Sequence, residues 1–122
     1  MNKQFYHGDY NKGHRKEFTA CVEIPTKENL RIDIWKLLGE NPKAVVSYDV
    51  GIARVSPKDR YNRKTGRELS ASRMQKEELK LVEIAVNDNA KTIVLSNERV
   101  MIVLEMKEDR DKVHLIEVQI GR

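Results

Sequence analysis

The stretch SPKDRYNRKTGRELSASRMQKEELK, residues 56–80, stacks three helix-starting devices into its first four positions. The Ser56 hydroxyl can accept a bond from an orphan backbone amide. Pro57 sits at the first helical position, where its missing N–H costs nothing, and Asp59 completes an S-x-x-D/E box. A helix is therefore expected to begin at Ser56. It must pass Gly66, which costs about 1 kcal/mol relative to alanine inside a helix, so either the helix breaks there or something packs closely against that backbone. Residues 67–80 resume with good helix formers. The end is open: Val82, Ile84 and Val86 alternate as a strand would, whereas Met74, Glu78, Leu81 and Ala85 keep helical spacing.

Working outward, strand patterns lie on both sides of this helix. Phe18, Ala20, Val22 and Ile24 alternate until Pro25. Thr26 can cap a helix in which Leu30, Ile34, Leu37 and Leu38 share a face, with Gly39 as its stop. Leu30, Ile32 and Ile34 also alternate, so a short strand followed by one helical turn competes with that reading, and Trp35 suits a core under either. Residues 44–55 are rich in β-branched side chains and read as a long strand with Gly51 as a bulge position. Downstream, Asn87-Asp88-Asn89 is turn chemistry, Thr92 to Leu95 a short strand, and Val100–Met106 with Lys112–Ile120 a hairpin across the charged residues 107–111. Residues 1–16 carry two glycines and no periodicity. They read as a flexible arm anchored by Phe5, Tyr6 and Tyr10, which either cap the protein's own core or meet a partner. The expectation is an arm (1–16) and a single α+β domain (17–122), with an antiparallel or mixed sheet of about five strands and one or two helices.

A chain of 122 residues, 39% hydrophobic and 34% charged, suits one domain with one core. Its apolar runs fall far short of the roughly 20 residues that cross a bilayer, and residues 1–16 lack the apolar run of a secretory signal, so a cytoplasmic protein is expected. Cys21 is the only cysteine, which leaves no intramolecular disulfide; in a strand it reads as an inert buried hydrophobe. His7, His14 and His114 are too scattered for a zinc motif, so neither metal nor cofactor is expected.

The charge is concentrated. Residues 54–76 hold eight cations against two acids, a balance of +6, so with +4 for the whole chain the remainder is −2. Such a local excess is the footprint of a phosphate-bearing partner. On a helix beginning at Pro57, Arg60, Arg63, Lys64 and Arg67 stand at i, i+3, i+4 and i+7, one stripe of mutually repelling charges that a polyanion would relieve. Tyr61 offers a stacking face and Arg73 closes the candidate site. A solvated helix face, or one paired with Glu108, Asp109 or Asp111, is the structural alternative. Ser70 and Ser72 read as packing positions or caps, with hydroxyls that could also donate to a phosphate. No nucleophile with a base, no paired carboxylates and no glycine-rich phosphate loop is present, and Asp49 and Glu68 have no evident catalytic partner, so the protein is not expected to be an enzyme.

Ser56, Pro57, Asp59, Tyr61, Arg63, Lys64, Gly66, Arg67, Ser70 and Arg73 follow a pattern of S/C-P-x-D-x-aromatic, basic pair, Gly-Arg and a small-residue turn ending in Arg. This resembles small proteins encoded by phages and prophages. The resemblance implies a non-enzymatic binding protein in the host cytoplasm: one that occupies nucleic acid, sequesters a nucleotide signal used in host defence, or blocks a host protein as an inhibitor or adaptor. The basic stripe suits the first two, with Arg60, Tyr61, Arg63, Lys64, Arg67 and Arg73 as ligand-binding residues. A homo-oligomer remains an option, because small binders often build sites between subunits.

Overall fold

A computed structural model describes residues 2–8, 17–24, 45–54, 60, 62–107 and 112–121. In chain order these form β1 (Asn2–Gly8), β2 (Phe18–Ile24), β3 (Val46–Arg54), α1 (Arg63–Ser72), β4 (Gln75–Asn87), β5 (Ala90–Ser96), β6 (Val100–Lys107) and β7 (Lys112–Ile120). The sheet order is β1-β2-β3-β4-β5-β6-β7, and every neighbouring pair is antiparallel. Among the described residues, a meander of seven strands with one short helix replaces the expected α+β arrangement of about five strands with one or two helices. The expected Leu30–Leu38 element, Trp35 and the Ser56–Asp59 helix start lie outside the described residues.

Period-two alternation builds the wall. Phe18, Ala20, Val22 and Ile24 of β2 face inward with Val46, Tyr48 and Val50 of β3, and meet Leu79, Ile93, Leu95, Ile102 and Leu104 across the interior. The sheet curls until its two edges approach. There, Gln4 on β1 spans to β7: its Oε1 accepts from Leu115 N at 3.0 Å and its Nε2 donates to Val113 O at 3.4 Å. A side-chain amide thus takes the place of a backbone ladder, and the sheet becomes nearly a closed barrel with its edges covered.

Two departures from the sequence reading have clear causes. Residues 75–80 (QKEELK) favour a helix by intrinsic propensity, yet Gln75 to Leu79 pair with Val50 to Val46 of β3 and bury Glu77 and Leu79 on the inner face. Propensities of a few tenths of a kcal/mol per residue yield to such pairing. The same strand then runs on through Leu81–Val86 against β5, with a bulge that leaves Val82 64% exposed. In the segment 1–16, Asn2–Gly8 forms β1. Its inward positions are Gln4, Tyr6 and Gly8, so no hydrophobic alternation marks it, and Tyr6 packs at 6.1 Å between ring centroids on Phe18.

β2 is buried on both faces because α1 covers its outer side. Gly66 lies directly over Thr19, where a Cβ would run into Oγ1, and Ser70 brings its carbonyl against Gly51 of β3. Of the two options for Gly66, close packing is the one realised. At the β4–β5 turn, Asp88 adopts φ 43°, the left-handed conformation that two-residue hairpins require.

Candidate anion-binding site

The helix that carries the basic residues is shorter than the sequence suggests. Asn62, in extended conformation, is its N-cap: Oδ1 accepts from Thr65 N at 3.1 Å, and Asn62 O accepts the first helical bond from Gly66 N at 2.9 Å. Arg60 is described and not helical. At the other end, Ser70 Oγ donates to Arg67 O at 3.2 Å and Ser72 Oγ to Leu69 O at 2.7 Å, while Arg73 N closes the last turn on Leu69 and Ser70. These hydroxyls occupy the final carbonyls and compete with continuation of the helix. Both serines therefore serve packing and termination, with their donors already committed.

The structure divides the expected site residues into groups. Arg63, Lys64 and Arg67 stand at i, i+1 and i+4 of α1, all exposed, within about 100° of arc at 100° per residue. Gly66 and Ser70 occupy the side turned to the sheet, so the three cations form one solvent-facing flank. Arg60 is not part of that helical stripe, because it precedes the cap. Arg73 is the C-cap, and its Nη1 is turned back to Ile52 O on β3 at 3.5 Å. Tyr61 lies outside the described residues. Among the described residues, Arg60, Arg63, Lys64 and Arg67 make no ion pair. Asp49 and Glu68 are both exposed. Glu108, Asp109 and Asp111 lie outside the described residues.

β1 adds a feature that the sequence reading missed. Lys3, Phe5 and His7 alternate onto its outer side, opposite Glu23, Cys21 and Thr19. His7 Nδ1 lies 3.0 Å from Thr19 Oγ1, the atom over which Gly66 sits, so β1 leads up to the foot of α1. The sequence signal was present as an aromatic and two cationic-type residues at positions 3, 5 and 7, but it was hidden by the absence of apolar residues at 4 and 8. Beneath, Cys21 is fully buried, and burial pushes its thiol above its ordinary value; Lys3 opposes this and Glu23 adds to it. The protonated thiol is the inert form.

The other polar concentration is internal. Glu77, 6% exposed on the inner face, receives Asn97 Nδ2 at 3.0 Å, Gln75 Nε2 at 3.1 Å and the Arg99 guanidinium at 3.0 Å. Asn97 Oδ1 in turn accepts from Arg99 N and Val100 N, each at 2.8 Å. The network ties the β5–β6 turn to β4, and its carboxylate is saturated with donors. Among the described residues no group of three or more His, Cys, Asp or Glu side chains is placed to hold a metal ion, and no helix is long and apolar enough to cross a membrane. Comparison with protein-family models, with curated proteins and with solved structures gives no match to this chain.

Proposed function

We propose that this protein is a non-enzymatic binder of a phosphate-bearing ligand, a nucleic acid or a nucleotide, and that Arg63, Lys64 and Arg67 on the outer flank of α1 contact the phosphates. The observation that carries this reading is that three adjacent cations stand exposed on one helix flank with no described acid paired to them. Like charges so close repel one another, and a polyanion turns that cost into binding energy. Arg60, immediately before the helix, extends the positive surface. Arg73 lies at the far end, with one N–H turned to Ile52 O and its other guanidinium donors left over. A phage origin, which the resemblance of residues 56–73 implies, would supply nucleic acid or a defence nucleotide of the host as the ligand.

Binding to a polyanion of this kind releases counterions, so affinity falls steeply as salt rises. Titration of labelled oligonucleotide at increasing salt, with Arg63→Ala/Lys64→Ala beside the parent, tests it: the double variant has a shallower slope. Affinity independent of salt would remove the nucleic-acid form of the proposal. A protein-binding role has one observation of its own, the apolar Val82 and Val86 exposed along β4. Capture of a host protein that survives nuclease and high salt, and that is lost on Val82→Asp, would favour that second reading.

A further inference from the structure

Phosphate contacts alone do not explain what the outer side of β1 presents. Lys3, Phe5 and His7 form a column there, about 13 Å long at ~3.4 Å per residue, and the column ends where His7 meets Thr19 beneath Gly66. Gly66 is on the sheet-facing side of the helix, so the column leads to the foot of α1, on whose solvent-facing flank Arg63, Lys64 and Arg67 stand. Phe5 is 37% exposed, and its register partner Cys21 is fully buried. An exposed aromatic ring on a strand that leads to an exposed cationic helix flank suits single-stranded nucleic acid: bases stack on rings while phosphates follow the charge.

We infer that the ligand is a single strand of nucleic acid, laid along β1 with its bases on Phe5 and the His7 ring and its phosphates on Arg63, Lys64, Arg67 and, at the far end, Lys3. This rests on the phosphate-binding reading above and narrows it. A duplex has its base faces stacked internally and cannot offer them to Phe5. A mononucleotide is too short to reach both ends of the column.

The experiment measures binding of the full chain at one low salt concentration to three labelled probes: a short oligothymidine, an abasic deoxyribose-phosphate chain of equal length, and the corresponding duplex. Oligothymidine should bind tightest. Phe5→Leu, which keeps apolar bulk and removes the ring, should weaken oligothymidine about tenfold and leave the abasic chain unchanged. Arg67→Ala should weaken both. A melting curve for Phe5→Leu close to the parent's shows that the fold is intact, and Phe5→Trp, which restores a stacking face, should recover the affinity. Equal binding of the abasic chain and oligothymidine, or a preference for the duplex, overturns the single-strand inference while leaving phosphate binding standing. Failure of all three probes to bind removes both.

Discussion

Arg99 and the arginines of α1 show two uses of the same side chain. Arg99 lays its guanidinium 3.0 Å from a carboxylate that is 8% exposed, and its own backbone N–H is held by Asn97, so charge and turn geometry are fixed together. Arg63 and Arg67 sit on a helix capped by Asn62 and closed by Ser70 and Ser72, so their side chains are not needed for those bonds, and they meet no described acid. A cation that serves the fold is recognised by what it satisfies. The helix cations satisfy nothing within the described structure, and so stand available to the external anion proposed above.

The comparison is broken most severely at its buried end. Glu77→Ala removes the shared acceptor of Arg99, Asn97 and Gln75 and leaves a gap on the inner face opposite Tyr48. Hydrogen bonds to a charged group contribute about 1.5–3 kcal/mol, and because the Arg99 side chain is 62% exposed and can return to water, about 2 kcal/mol is expected. Chemical denaturation measures it. The combination with Arg99→Ala should cost less than the sum of the two single changes; strict additivity would mean that the two charges do not interact and that Arg99 is as idle as Arg67.

Gly66→Ala sharpens the comparison, because it tests how closely α1 is seated. Alanine gains about 1 kcal/mol over glycine in an exposed helix interior. Here its Cβ would meet Thr19 Oγ1, and Thr19 is itself buried and engaged by His7, so it has no room to swing aside. Overpacking costs about 1–3 kcal/mol, and a net loss near 1 kcal/mol is expected in the thermal melt. Thr19→Ala in the same chain should relieve the clash. A stabilised Gly66→Ala single variant would place the helix farther from β2 and would part the His7 column from the cationic flank.

What could be read from the sequence tracks where one physical signal dominates. β2 and β3 are legible because inward positions are uniformly apolar, and the β6–β7 pair because two such runs flank a charged turn. β1 is not, since its inward side is Gln4, Tyr6 and Gly8, and beyond its pairing with β2 it is tied by Gln4 to a strand more than a hundred residues away in the chain. Residues 75–80 mislead for a different reason: helix propensity is local, whereas the burial of Glu77 and Leu79 depends on β3 and on the Asn97 turn. For the candidate site, the clustering of cations was legible and their common face only partly so. The stripe was drawn on a helix starting near Pro57, and the cap at Asn62 moves Arg60 off it while keeping Arg63, Lys64 and Arg67 together. The sequence signal for that cap is an asparagine three residues before Thr65, which the reading based on Ser56-Pro57 does not include.

The smallest expected effect on stability is also the one that most directly separates the two kinds of arginine. Arg67 is exposed and makes no described ion pair, while its carbonyl, which Ser70 Oγ uses, is independent of the side chain. Arg67→Ala therefore removes a charge that repels Arg63 and Lys64, and replaces one good helix former with a better one. Stability should stay within about 0.5 kcal/mol of the parent or rise, as for other surface changes that touch no cap, core or network. Anion affinity should fall in the same variant. Paired melts with and without a saturating oligonucleotide measure both at once, because a ligand that binds only the native state raises the melting temperature according to its affinity. The parent should gain more from the oligonucleotide than Arg67→Ala does, although the two melt alike without it. If Arg67→Ala instead lost as much stability as Glu77→Ala, Arg67 would belong with Arg99 as part of the fold, and the outer flank of α1 would no longer be a candidate for binding anything.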